Sequence, residues 1–162
     1  MKRLIWLVLL VALVGFGFAQ DNPVEVRLEI YVVSEVTTDD GNKEERFSEA
    51  TTARPGQVVE YRLLAENIGD TTLPAGTVVI TGPVPNGTTF VPESATPSSE
   101  RFLTEFSADN GDSYSEPPVI VTMNNNQRRI ADPVLYNAVR WTLLVPMEPG
   151  ADEAFVYRVT VD

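Results

Sequence analysis

Apolar and polar residues alternate along several short stretches of this chain, and no stretch keeps a helical period. The clearest stretch runs from Val24 to Val32, where every second residue is Val, Leu or Ile, and another runs from Val59 to Ala65. Because the side chains of a strand point alternately to its two faces, this alternation predicts strands with one face toward a core. Shorter stretches predict further strands over residues 46–51, 77–81, 88–91, 101–107, 119–123, 138–145 and 154–161.

Turn-forming residues separate the predicted strands at short intervals. The sequence Asp39-Asp40-Gly41-Asn42 follows the first strand and predicts a hairpin, and other turns rich in Gly, Pro and Asn follow the later strands. About eight short strands with this spacing predict an all-β protein, an immunoglobulin-like antiparallel β-sandwich. Trp141 lies in the middle of the predicted strand 138–145 and is expected to pack in the core.

The N-terminus has the order of a secretory signal peptide. Two basic residues precede an apolar stretch from Leu4 to Phe18, and the small residues Gly17 and Ala19 stand at the cleavage positions. An uncleaved membrane anchor is the alternative, but an apolar stretch of about 15 residues is shorter than the roughly twenty that a transmembrane helix needs. We therefore predict a signal peptide over residues 1–19, an N-terminal strand and hairpin that belong to the sandwich over 20–53, and the main β-sandwich over 54–162.

The charge of the chain is strongly acidic. The formal net charge is −11, and loss of Lys2 and Arg3 with the signal peptide makes it −13. A field of this sign repels nucleic acid and anionic lipid, so neither is an expected partner. Because the chain has no Cys, neither a disulfide nor a lipid-anchored cysteine is expected. We expect a location in the periplasm, at the cell surface or outside the cell, with no membrane span after signal cleavage.

The residue types offer little for catalysis. The chain has no His for general base catalysis or zinc binding, and it has no Cys nucleophile. A Ser–Lys dyad would have to use Lys43, the only lysine after the predicted signal peptide, which lies in the predicted hairpin turn. No pair of carboxylates stands out for glycoside hydrolysis. We therefore expect a protein that is not an enzyme and has no cofactor. Calcium binding by loop oxygens is the alternative, and its candidate ligands are Asp39, Asp40, Asp109 and Asp112.

Three stretches resemble a family of bacterial exported and surface repeat domains, the domain of unknown function eleven. The stretch from Pro55 to Asp70 is similar to the opening strand and Asn-x-Gly turn of that family, and the stretch from Val78 to Val91 is similar to its Pro-x-Pro-x-Gly element. Pro149-Gly150 with the closing strand completes the likeness, which covers roughly two-thirds of the chain. The positions expected to have structural roles are Pro55, Gly56, Tyr61, Asn67, Gly69, Pro83, Pro85, Gly87, Pro149 and Gly150.

The resemblance implies an immunoglobulin-like sandwich at the cell surface or in the envelope, without known catalysis. The family usually occurs as tandem repeats, whereas this chain carries one copy preceded by its own long hairpin. The family commonly has Asp before the Pro-x-Pro step, and this chain has Gly82 there. Nothing that this acid does in the family therefore carries over to this chain.

A second, local resemblance covers Ser107 to Tyr114, which is similar to the Asp-box of secreted β proteins. In that motif the acid and the glycine shape a hairpin turn, and the aromatic residue packs back onto the core. The likeness implies a turn formed by Asp109 and Gly111 with Tyr114 on the core, and it implies no glycosidase activity.

The most unusual polar stretch, from Asn124 to Arg129, holds the only local basic cluster after the predicted signal peptide. Loops on a rigid sandwich often carry binding, so this stretch is a candidate partner loop, and a purely solvated loop is the alternative. The candidate loop residues are Asn124, Asn125, Asn126, Gln127, Arg128 and Arg129.

The main functional hypothesis is a structural or protein–protein interaction role in the envelope. The expected partner is an envelope protein or a second copy of the chain. One alternative is a surface module that binds polysaccharide or calcium. Another is a filament subunit that inserts the strand from Val24 to Val36 into a neighbouring sandwich.

Overall fold

The computed structural model describes residues 23–49, 51–123 and 126–162. Ten strands and one 3-10 turn form the regular structure of these residues, so the predicted all-β fold is confirmed, with more strands than expected. In the described part of the chain, no helix has the length and apolar character needed to cross a bilayer. The predicted signal peptide lies outside the described residues. The strands are β1 (Val24–Thr37), β2 (Lys43–Glu49), β3 (Val58–Asn67), β4 (Val79–Pro83), β5 (Thr88–Phe90), β6 (Phe102–Ser107), β7 (Ile120–Thr122), β8 (Arg128–Ile130), β9 (Ala138–Leu143) and β10 (Asp152–Val161), and the 3-10 turn is Pro133–Leu135.

Two antiparallel sheets pack face to face as a β-sandwich. The larger sheet has five strands in the order β2-β1-β3-β10-β5, and the smaller sheet has three in the order β4-β9-β6. Strands β7 and β8 form a separate two-stranded ladder. The N-terminal strand and hairpin, β1 and β2, belong to the larger sheet because β1 pairs with β3 along Val24 to Val33.

Aromatic side chains from the two sheets fill the space between them. Trp141 of β9 and Phe155 of β10 are fully buried, and their rings stack with centroids 5.2 Å apart. The indole N–H of Trp141 donates to the backbone oxygen of Thr96 at 3.0 Å, so its polar group stays hydrogen-bonded after burial. Phe90 of β5 contacts Phe106 of β6 edge to face, with centroids 5.6 Å apart. The core therefore lies between the smaller sheet and the strands β3, β10 and β5.

The alternation of β1 has a different outcome from that of β3. In β3, Val59, Leu63 and Ala65 are buried, as the alternation predicts. In β1, Val26 is 46% exposed and Leu28 is 55% exposed, so the expectation that both pack in a core is wrong. The smaller sheet has three strands and the larger sheet has five. The aromatic rings of the smaller sheet contact rings of β10 and β5, so this sheet leaves Val26 and Leu28 of β1 uncovered.

The hairpin of β1 and β2 differs in detail from its prediction. The return strand begins at Lys43, which pairs with Thr37 and thus lies in a strand, not in the turn. The turn closes through the N–H of Gly41, which donates to the oxygen of Thr38 at 2.9 Å. Strand β1 pairs with both β2 and β3 in its own sheet, so its donation to a neighbouring sandwich would require these ladders to break.

Candidate functional site

The Asn-x-Gly turn after β3 is held by a buried side chain. The amide nitrogen of Asn67 donates to the backbone oxygens of Thr71 and Met147, each at 2.9 Å, and its amide oxygen accepts the N–H of Gly69 at 3.0 Å. The Pro149-Gly150 turn adjoins it, since the N–H of that glycine donates to the Asn67 backbone oxygen at 2.8 Å. A fully buried amide with these partners fixes the turn, and none of its groups points to a ligand.

The other positions of the family likeness lie in the core, in turns or, for Pro83, at the end of β4. Tyr61 stacks on Tyr157 with ring centroids 5.1 Å apart, and burial raises the pKa of both tyrosines. The hydroxyl of Tyr157 donates to the backbone oxygen of Pro83 at 2.6 Å. The remaining positions form the turn before β3, at Pro55 and Gly56, and the turn before β5, at Pro85 and Gly87.

The carboxylate of Asp109 accepts hydrogen bonds within the Asp-box-like turn that follows β6. It accepts hydrogen bonds from the hydroxyl of Ser107 at 2.7 Å and from both the hydroxyl and the N–H of Ser113. The Ser107 oxygen also accepts the N–H of Gly111, at 2.9 Å. The hydrogen bonds to the carboxylate hold the pKa of Asp109 below its usual value, and the bond from the Ser113 hydroxyl is the largest cause. The acid thus acts as the acceptor that shapes the turn.

Tyr114 packs on an arginine and not on the core. The guanidinium carbon of Arg140 lies 4.2 Å from the centroid of the Tyr114 ring. Glu105 of β6 pairs with Arg140 of β9 across the sheet and accepts a hydrogen bond from its Nη2 at 2.7 Å. The core contact implied by the Asp-box likeness is therefore wrong, because Glu105 holds the guanidinium where the ring lies.

The four candidate calcium ligands lie in two separate turns. Asp39 and Asp40 lie between β1 and β2, whereas Asp109 and Asp112 follow β6. The hydroxyl of Thr38 donates to Asp40 at 2.5 Å, and this bond is the largest cause of the lowered pKa of Asp40. Among residues 23–49, 51–123 and 126–162, no three His, Cys, Asp or Glu side chains are grouped so as to hold a metal ion. Calcium binding stays a prediction.

The outer face of the larger sheet carries a charged cluster that the sequence did not predict. Glu60 is 3% exposed, and its carboxylate accepts hydrogen bonds from Arg62 at 2.6 Å and from Arg158 at 2.8 Å. Arg158 also donates twice to Glu45, at 2.7 Å each, which raises the pKa of Arg158 and lowers that of Glu45. The ring of Phe47 lies 4.8 Å from the Arg62 guanidinium. These groups satisfy one another and stabilise the sheet.

Four of the six residues of the candidate partner loop, Asn126 to Arg129, lie in the hairpin of β7 and β8. Asn124 and Asn125 lie outside the described residues. Asn126 has a φ of 60° and donates its N–H to the backbone oxygen of Met123 at 2.9 Å. The N–H of Met123 donates to the oxygen of Gln127 at 2.9 Å. Backbone hydrogen bonds therefore close the turn.

Arg128 and Arg129 belong to β8, so their prediction as loop-tip residues is wrong. They pair with Thr122 and Val121 of β7, and both arginines are exposed. Strand β8 has three residues, two of which are arginine, so it lacks the apolar alternation by which a strand is recognised.

The hairpin of β7 and β8 and the 3-10 turn after it carry exposed apolar side chains, four of which we call the hairpin patch: Ile120, Met123, Ile130 and Leu135. Ile130 and Leu135 are each 64% exposed, and Ile120 pairs directly with Ile130 across the hairpin. Together with Arg129, three of the four line an open groove. Five of the eleven large hydrophobic side chains that are exposed in the described residues lie between Ile120 and Leu135. Such concentration is typical of an interaction surface.

Comparisons with known proteins supply no relative for this chain. No family model, no curated protein and no solved structure matches it. The family likeness drawn from the sequence stays a prediction.

Proposed function

We propose that this chain is an exported, immunoglobulin-like β-sandwich that binds another protein in the bacterial envelope and catalyses no reaction. The single observation that carries the proposal is the hairpin patch. Water contact with so many large apolar side chains in one region is unfavourable, and a partner surface that covers them removes this cost. The export signal and the family likeness predicted from the sequence support the envelope as the place of binding.

The charge around the patch defines the kind of partner. Arg128 and Arg129 adjoin Ile130 in a chain whose formal net charge is −11. A partner with an apolar centre and carboxylates at its rim pairs with these arginines, and the opposite charges also speed the encounter. We therefore propose a partner protein with acidic side chains around an apolar surface.

The base of the hairpin is fixed to the sandwich, which favours binding. The N–H of Ala131 donates to the oxygen of Val119 at 2.9 Å, and both residues are 4% exposed and belong to the core. Asp132 caps the 3-10 turn that follows by accepting the N–H of Val134 at 3.2 Å. A surface held in place before binding loses less conformational entropy in the complex.

Photo-crosslinking in the cells that export the chain tests this function. A photoreactive phenylalanine analogue replaces Ile130 or Leu135 in turn, and Val79, which is 48% exposed on β4, is the matched control position. We expect a discrete protein adduct from the two patch positions and none from position 79. The adduct yield is expected to fall when Arg128 and Arg129 are both changed to Ser. No adduct from either patch position, or the same adduct from position 79, would contradict the proposal.

A further inference from the structure

One edge of the larger sheet is open along part of β1. Strand β3 pairs with one side of β1 from Val24 to Val33, whereas β2 pairs with the other side only from Tyr31 to Thr37. On this second side, no strand in the described part of the chain pairs with the segment Glu25 to Ile30. We call this side of the segment the open edge. The backbone groups of such an edge are a template for another strand.

The open edge is less protected than β2, although three of its six residues, Glu25, Arg27 and Glu29, are charged. Five of the seven residues of β2 are charged, and charged side chains on an edge discourage further pairing. The open edge instead presents Val26 at 46% and Leu28 at 55% exposure on one face. Where β2 ends, an open notch lined by Leu28, Ile30, Glu49 and Thr51 leaves space beside the edge.

We propose that a second copy of this chain pairs with the open edge, strand β1 against strand β1, in antiparallel orientation about a two-fold axis at Val26. In this register Val26 lies opposite Val26 of the partner subunit. Arg27 lies opposite Glu25 of the partner subunit, and the same pair recurs by symmetry. Opposite charges directly across an antiparallel pair stabilise it, and an isologous pairing joins the two five-stranded sheets.

Neighbouring registers are less favourable. An axis at Arg27 places this arginine opposite its own copy and Glu25 opposite Glu29, and both contacts join like charges. An axis at Leu28 restores an Arg27–Glu29 pair. It also places Glu25 of the partner subunit opposite Tyr31, a position that Glu49 of β2 already occupies. The charges and the end of β2 together select the axis at Val26. This inference does not rest on the hairpin patch or on its proposed partner.

Charge reversal at the open edge tests the pairing. The exported chain and the variants Glu25→Arg and Arg27→Glu are compared by sedimentation over a range of chain concentrations, with circular dichroism as the check of folding. Each single variant places like charges opposite each other at the two-fold axis. We expect the chain to dimerise and each variant to dimerise roughly tenfold or more weakly.

Mixing the two variants separates lost pairing from lost folding. In a mixed pair, every reversed charge again lies opposite its complement, so we expect a 1:1 heterodimer to form. The matched controls are Glu44→Arg and Arg46→Glu, which make the same changes at the same spacing in β2 and should leave the dimer intact. A chain that stays monomeric in the millimolar range, or single variants that dimerise as well as the unchanged chain, would overturn the proposal.

Discussion

A Cβ atom at Gly82 would lie 2.6 Å from the Cε1 atom of Tyr157, a distance at which something must shift. Gly82 belongs to β4 of the smaller sheet and Tyr157 to β10 of the larger sheet. The tyrosine ring therefore covers the glycine backbone, while its hydroxyl donates to the backbone oxygen of Pro83. This contact explains why position 82 holds Gly, the one residue without a Cβ.

Gly82→Ala is expected to destabilise the sandwich by about 2 kcal/mol, because an added methyl group in a packed core forces atoms out of place. The free energy of unfolding in urea, followed by Trp141 fluorescence, measures the effect. Thr81→Ala, an exposed change on the same strand, serves as the control and is expected to stay within about 0.5 kcal/mol. A variant at position 82 as stable as the control would show that the ring has room to move.

Glu60→Gln is expected to lower the free energy of unfolding by about 2 kcal/mol. The change removes the charge of a buried carboxylate that accepts hydrogen bonds from Arg62 and Arg158. Glu44→Gln, an exposed change on β2, is the control and is expected to have little effect. Equal stability of the two variants in chemical denaturation would argue against a stabilising role for the cluster.

Tyr114→Ala is expected to cost about 1 kcal/mol, because the guanidinium of Arg140 loses the ring on which it lies. Tyr114→Phe keeps an aromatic face and is expected to retain most of the stability. Thermal unfolding of both variants at equal concentration separates the ring from the hydroxyl. A loss in the Phe variant as large as that in the Ala variant would assign the effect to the hydroxyl group.

Asp109→Asn is expected to show the pH dependence of the turn. The pKa of Asp109 in the folded chain is below its ordinary value of 3.8. The ionised carboxylate therefore stabilises the fold above pH 3.8, and this stabilisation is lost as the pH falls through the folded pKa. We expect the variant to be about 1 kcal/mol less stable near neutral pH, with a difference that shrinks below pH 3.8. Unfolding curves across this range measure it, and a difference independent of pH would contradict the assignment.

The residues that the sequence placed in strands follow a local rule, which is why most strands could be predicted. Val59, Tyr61, Leu63 and Ala65 occupy every second position because neighbouring side chains of any strand point to opposite faces. The same rule made Val26 and Leu28 look like core residues, although both are exposed. Alternation identifies an apolar face, but it does not show whether a second sheet extends far enough to cover that face.

The candidate site could be predicted only in part. Composition singled out Arg128 and Arg129, because a basic pair is unusual in this acidic chain. It did not identify the exposed apolar side chains near them, since Ile120 and Ile130 lie directly opposite each other only in the folded hairpin. Exposure depends on the packing of the whole chain and has no signal in the order of residues.

The order of residues specifies short strands separated by turns, because alternation and turn residues act over a few neighbouring positions. Which positions become neighbours depends on how the complete sandwich packs. Glu60 meets Arg158 98 positions further along the chain, and it does so because β3 and β10 pair in one register. Gly82 has no room for a side chain because the opposite sheet places Tyr157 against it. Such contacts join distant parts of the chain, so no local pattern of residues specifies them.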